Sequence, residues 1–220
     1  AELDWAVGQI VQVLKETGQL NNTLIVFTSD NGPEVQTYTY HEKGHASSGP
    51  WRGLKRDVWE GGHRTPFIVA WPGTIPGGRE SSRLISQTDI FATVADLLDV
   101  ELEADCAEDS ISCLDELLPQ EEVEHIRTLA IHHTGMSDTL ALRKGDWVLI
   151  NGPTGDNGRQ EPEWIRQERG VEPHTEPVEL FNLKTDPQQT KNLAAEHPEK
   201  VEELKELLSQ LEASGRTRPE

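Results

Sequence analysis

The chain has 220 residues, 35% of them hydrophobic, which is enough to bury a real core as one large domain or as a domain with a small appendage. Its 20 Lys and Arg against 39 Asp and Glu give a formal charge of −19, which argues against general nucleic-acid binding because neutralising phosphates needs a basic surface. No apolar run approaches the roughly 20 residues that span a bilayer, and Cys106 and Cys113 are too few for a disulfide framework or a four-cysteine zinc site, so free thiols or one optional bridge are expected.

Leu3, Ala6, Val7, Ile10, Val11 and Leu14 recur at helical spacing before Gly18, predicting a helix over residues 2–17. Leu24-Ile25-Val26-Phe27-Thr28 follows as a strand apolar on both faces, the pattern of a parallel sheet covered on both sides. Gly32 to Arg64 has little periodicity and is long for a plain connection, which favours a functional loop. Phe67-Ile68-Val69-Ala70-Trp71 reads as a second buried strand, closed by Pro72-Gly73. Thr88-Asp89 is placed to start a helix through Leu98 with Ile90, Val94, Leu97 and Leu98 on one face. From Ala104 the chain turns acidic and loop-like.

Three further strands are expected at Leu129–His133, Thr139–Arg143 and Trp147–Ile150, the last two joined by the hairpin signal Lys144-Gly145-Asp146. Residues 151–176 read as a polar excursion. Glu179–Leu183 gives another short strand. A final helix begins at Pro198 with Val201, Leu204, Leu207, Leu208 and Leu211 as its buried stripe, and the tail after Ser214 is expected to fray. The fold class is therefore α/β: part of a mostly parallel sheet flanked by helices in residues 1–103, then, in 104–220, a linker and a small antiparallel sheet with a C-terminal packing helix.

Asp30 and Asn31 directly follow a strand, and open α/β sheets bind ligands just beyond their strand ends. A carboxylate and an amide carbonyl suit a hard divalent cation, although Asp-Asn-Gly is also a common turn. Between His41 and Arg64 lie Lys43, Arg52, Lys55, Arg56 and Arg64 against Glu42, Asp57 and Glu60, a local cationic stretch on an acidic protein. Lys55, in a loop loosened by Gly53 and followed by Gly61-Gly62, is placed to hold an oxyanion as a point charge. Glu60 and Arg64 are expected to pair with each other and hold the loop in shape.

In order and spacing, three segments resemble the sulfatase family, the formylglycine-dependent arylsulfatase type of the alkaline phosphatase superfamily. They are Leu24 to Gly32, Ser48-Gly49-Pro50-Trp51-Arg52-Gly53-Leu54-Lys55, and Glu60-Gly61-Gly62-His63-Arg64-Thr65-Pro66-Phe67-Ile68, with Trp71-Pro72-Gly73 after them. Ala141 to Trp147 and Glu179 to Leu183, with Asp186-Pro187, look like that family's C-terminal subdomain. The resemblance implies a sulfuric ester hydrolase with Asp30 and Asn31 as metal ligands, Lys55 as the catalytic and sulfate-binding residue, and a divalent cation as cofactor, calcium first and magnesium second. It also implies attack on sulfur by the hydrate of a formylglycine, a sulfate ester substrate, no nucleic-acid or membrane partner, and a periplasmic or extracellular location.

One departure matters. Formylglycine arises from Cys or Ser in a Cys/Ser-x-Pro/Ala-x-Arg motif, and neither Cys106 nor Cys113 begins one. The formylglycine and the remaining metal ligands are expected upstream of this sequence, so little turnover is expected of the chain by itself, and self-association through an exposed sheet edge is expected to accompany a half-core. The alternatives are a non-catalytic sulfatase-fold module that binds a cation or an anionic ligand, and a related phosphonate or phosphate ester hydrolase.

Overall fold

The structure is a computed structural model that describes residues 2–118, 127–135, 137–158 and 160–219. Helix α1 (Glu2–Glu16) leads through a short 3-10 turn into strand β1 (Ile25–Thr28), followed by α2 (Gln36–His41), α3 (Glu60–His63), β2 (Phe67–Ala70), α4 (Asp89–Leu97) and α5 (Leu114–Leu117). Then come β3 (Leu129–His133), β4 (Leu140–Lys144), β5 (Trp147–Ile150), α6 (Glu163–Arg169), β6 (Glu179–Asn182) and α7 (Pro198–Ser214). Two compact units result, one from Ala1–Thr28, Pro66–Glu103 and Ser110–Ile126, the other from Ser29–Thr65, Ala104–Asp109 and Arg127–Glu220.

In the first unit β1 and β2 pair antiparallel, Ile25 opposite Ala70 and Thr28 opposite Phe67. The mostly parallel sheet expected from the sequence is not present among the described residues. A continuous apolar run tells that a strand is covered on both faces but not which way its neighbour runs. The helices hold a second departure from expectation. No residue of α1 is buried, and α4 buries Asp89, Ala92, Thr93 and Ala95 while Phe91, Val94 and Leu98 stay exposed. The buried face of α4 is held by polar bonds. Asp89 accepts the Ile111 and Ser86 amides at 2.9 and 2.8 Å, Ala92 N donates to Ser110 Oγ at 2.8 Å, and Cys113 N donates to Thr93 Oγ1 at 3.0 Å.

The second unit is built on the antiparallel sheet β3-β4-β5-β6, whose alternating residues serve two layers. Leu142, Leu149 and Leu180 point to one face, where Val201, Leu204 and Leu208 of α7 cover them. Ala141, Val148, Ile150 and Phe181 point to the other, where Val58 and Trp59 lie. The loop between α2 and α3 is thus fastened to the sheet as part of its core. The polar excursion after β5 contains α6, anchored by buried Ile165 and ended by Gly170 in the left-handed conformation. The tail after Ser214 also departs from the expected fraying: Thr217 donates twice to Asp109 Oδ1, at 2.9 and 2.8 Å, and Arg218 N donates to Glu108 O at 2.8 Å. Both cysteines are free thiols.

Candidate functional site

Beyond the end of β1 the turn Asp30-Asn31-Gly32-Pro33 is stitched to the loop by backbone bonds. Gly32 N donates to Gly62 O at 2.8 Å, and Lys55 N donates to Pro33 O at 2.8 Å. The segments that carry Asp30-Asn31 and Lys55 are therefore neighbours, though Lys55 lies 25 positions after Asp30 in sequence. Glycine is required for the approach. A Cβ on Gly32 would lie 1.9 Å from Gly61 O, and one on Gly62 would lie 2.1 Å from Asp57 O, distances no side chain tolerates.

The loop that presents Lys55 is held from beneath. Trp59 is buried, its Nε1 donates to Glu179 Oε2 at 3.0 Å, and the Arg52 guanidinium lies 3.8 Å over its ring. Arg52 in turn bonds Glu161 at 3.0 Å and the Gln189 carbonyl at 3.0 Å. Asp57, buried, accepts the Leu54 amide at 2.9 Å and both Asn157 N and Nδ2, at 3.0 and 2.9 Å. Burial pushes its carboxyl up to about 7 against these donors, and Asp156 and Glu161 add to the rise. The cationic stretch seen in the sequence is therefore largely spent on structure. Arg52 is inside, and Arg64 pairs with buried Glu60 at 2.9 Å, as expected, while stacking 3.9 Å over Trp51.

Lys55 keeps a partly open ammonium. Its Nζ stands 3.7 Å from Glu34 Oε2, beyond hydrogen-bond range, while Arg56 holds the same carboxylate at 2.8 and 3.3 Å. Beside Gly62, the His63 ring stacks on His132 of β3 with centroids 3.5 Å apart. Burial drives the His63 imidazole down to about 4, with Arg143 and Arg64 contributing, and burial followed by His63 itself drives His132 well below the usual histidine range. The pair is neutral at physiological pH. Its register is tertiary, since sequence showed only two separate histidines.

Asp30 is exposed, and the Asn31 amide donates through Nδ2 to Gly32 O at 2.8 Å, which leaves its Oδ1 for a cation. These two oxygens fit a hard divalent ion. Among the described residues no group of three or more His, Cys, Asp or Glu converges on such a site, so the donor set is a partial one.

A family model described as Sulfatase matches residues 1–100. N-acetylgalactosamine-6-O-sulfatase of Bacteroides thetaiotaomicron is 36% identical over 212 residues, 94% of this chain and 40% of that protein. The chain belongs to the sulfatase family. Human steryl-sulfatase is 31% identical across 100% of the chain and 40% of its own length. Among solved structures, a Bacteroides thetaiotaomicron protein described under metabolism of multiple glycosaminoglycans superposes with a TM-score of 0.78 at 35% identity, over 96% of this chain and 43% of that one. The PsFucS1 sulfatase from Pseudoalteromonas sp. does so with 0.69 at 28% identity, over 99% and 43%. This sulfatase chain thus has the α/β fold of its relatives and spans about two fifths of their length, corresponding to their C-terminal portion.

Sequence reasoning chose Asp30, Asn31 and Lys55, and the three lie on adjoining segments. It missed Asp57, Asn157 and the Glu34–Arg56 pair. The signal for Asp57 was an acid directly after Lys55-Arg56 in the loop; Asn157, 100 residues further on, carried none.

Proposed function

We propose that the whole protein hydrolyses sulfuric esters and that this chain supplies one wall of the site. The observation that carries the reading is the double stitch, Gly32 to Gly62 and Lys55 to Pro33, which brings together the segments that carry an acid, an amide and a cationic residue. Asp30 and Asn31 would hold a divalent cation, calcium in the first place, which when bound would offset charge on the sulfate oxygens. Lys55 binds the sulfate as a point charge and, with three N–H donors on a flexible stem, follows an oxygen as charge grows on it. The nucleophile and the other metal ligands come from outside this chain, as do strands that would extend β1 into a mostly parallel sheet. A sulfate monoester of an aryl alcohol or a sugar, met in the periplasm or outside the cell, is the substrate class.

The test is an assay of the protein carrying its full natural sequence on an aryl sulfate and the matching aryl phosphate, with and without Lys55→Ala. Sulfate should be preferred, and the variant should lose about 100-fold or more in kcat/KM, the scale of removing one oxyanion donor. Preference for phosphate would select the related phosphonate or phosphate ester hydrolase. Absence of turnover on both, with cation or sulfate binding retained, would select a non-catalytic module.

A further inference from the structure

Arg56, next to Lys55, adopts φ +79°, a left-handed conformation in which a long L side chain clashes with its own backbone and which glycine fills freely. Such an outlier persists only where its surroundings over-determine it. Here they do. Asp57 fixes the turn by accepting Leu54 N while its own amide donates to Leu54 O, both at 2.9 Å. Asn157 Nδ2 bridges Asp57 Oδ1 and Lys55 O at 2.9 and 3.3 Å. Gly135 N reaches Arg56 O at 3.4 Å, and a Cβ on Gly135 would press the Arg56 stem at 3.3 Å.

The strained turn sends the Arg56 guanidinium back to Glu34, where it takes Oε1 at 2.8 Å and Oε2 at 3.3 Å. That hydrogen-bonded guanidinium holds the Glu34 carboxyl below the usual range, with smaller help from Lys55. Glu34 is also the ion-pair partner of Lys55, but at 3.7 Å the contact is too long for a hydrogen bond. We propose that Arg56 is a positioning residue for Lys55: from its left-handed turn it takes the hydrogen bonds of Glu34, which keeps the Lys55–Glu34 ion pair at 3.7 Å and leaves the N–H donors of the Lys55 ammonium for an incoming oxyanion. This rests on the assignment of Lys55 as the sulfate-binding residue. Without Arg56, Glu34 would close the short remaining distance and compete with substrate as an internal anion.

The experiment is a double-mutant cycle on the protein carrying its full natural sequence, with inorganic sulfate as probe, binding read by calorimetry at fixed calcium, and KM and kcat read on an aryl sulfate. Arg56→Gly, which relieves the backbone conformation, should keep or raise the thermal midpoint yet weaken sulfate binding about fivefold, the reach of a partly exposed charge. The effect should fall in KM. Adding Glu34→Gln to it should restore binding to within about twofold of the parent, which a merely structural role would not do. Arg56→Asn, which also tolerates positive φ, repeats the test if the glycine loosens the loop. Undiminished binding in Arg56→Gly, or no rescue in the double variant, overturns the inference while Lys55→Ala still abolishes binding. Binding that survives Lys55→Ala overturns the assignment of Lys55, and the inference with it.

Discussion

At Gly32 the chain leaves no room for any side chain, because the Gly61 carbonyl sits 1.9 Å from where a Cβ would stand. Gly32→Ala should therefore part the Asp30-Asn31 turn from the loop, lowering stability by about 2–4 kcal/mol in urea titrations and removing sulfate binding together with it. Two other residues here give opposite pH slopes. Asp57 has its folded pKa raised to about 7 from 3.8, so between those values the folded state keeps a proton that the unfolded state has released, and its contribution to stability falls as pH rises. His63 has its folded pKa lowered to about 4 from 6.5, so the unfolded state holds the extra proton in that window, and stability from this residue is lost as pH falls. In the parent the two partly cancel. Asp57→Asn should make the urea midpoint drop more steeply on going from pH 7 to pH 4, and His63→Gln should make it drop less; parallel profiles for all three proteins would contradict both assignments.

Among the elements, those with a clean period were legible. The stripe of α7 predicted its buried face, and Val201, Leu204 and Leu208 are inside; the Lys144-Gly145-Asp146 signal marks the turn between β4 and β5, which pair from Lys144–Trp147 onward. The stripes of α1 and α4 were just as regular, yet both are only partly covered: Val7, Val11 and Leu14 are half-buried while Leu3 and Ile10 are exposed, and Ile90 and Leu97 are half-buried while Val94 and Leu98 are exposed. Periodicity reports that a face is apolar, not what covers it, and for α4 the polar contacts of Asp89 and Thr93 settled the rotation. The packing of Trp59 under the sheet was likewise invisible, since it joins residues far apart in sequence. Trp59→Ala should cost about 3–5 kcal/mol as a core cavity. It should also release the Lys55 loop, measured as faster amide exchange at Lys55 and Arg56 than at β4, because that side chain ties the loop to the sheet.

For the whole molecule the apolar faces set the behaviour. In the first unit Ile90, Phe91, Val94, Leu98, Val100 and Leu102 line an open groove of about 650 Å³. On α1, Leu3, Trp5, Ile10 and Val13 are also exposed. Contiguous exposed apolar residues are a route to association. The 220-residue chain alone should sediment as a concentration-dependent mixture and should bind calcium weakly with little or no sulfatase turnover, because Asp30 and Asn31 offer two oxygens where a calcium ion takes six to eight. A sedimentation profile that stays monomeric at high concentration would argue against self-association. Strong calcium binding or robust turnover would argue against the partial site.

The sequence by itself determined the family, the order of the six strands and of α1, α4 and α7, the strand that delivers Asp30-Asn31 and the loop that carries Lys55, because these depend on local pattern and motif spacing; the short helices α2, α3, α5 and α6 lie in stretches that read as loop. Only the tertiary structure decided that β1 and β2 run antiparallel and that the apolar stripes of α1 and α4 are only partly covered. It alone showed that Arg56 is bent back onto Glu34 by a turn that Asp57 and Asn157 lock. Strand direction, helix rotation and the sharing of one carboxylate between two cations are set by partners distant in the chain, and a local pattern carries no record of them.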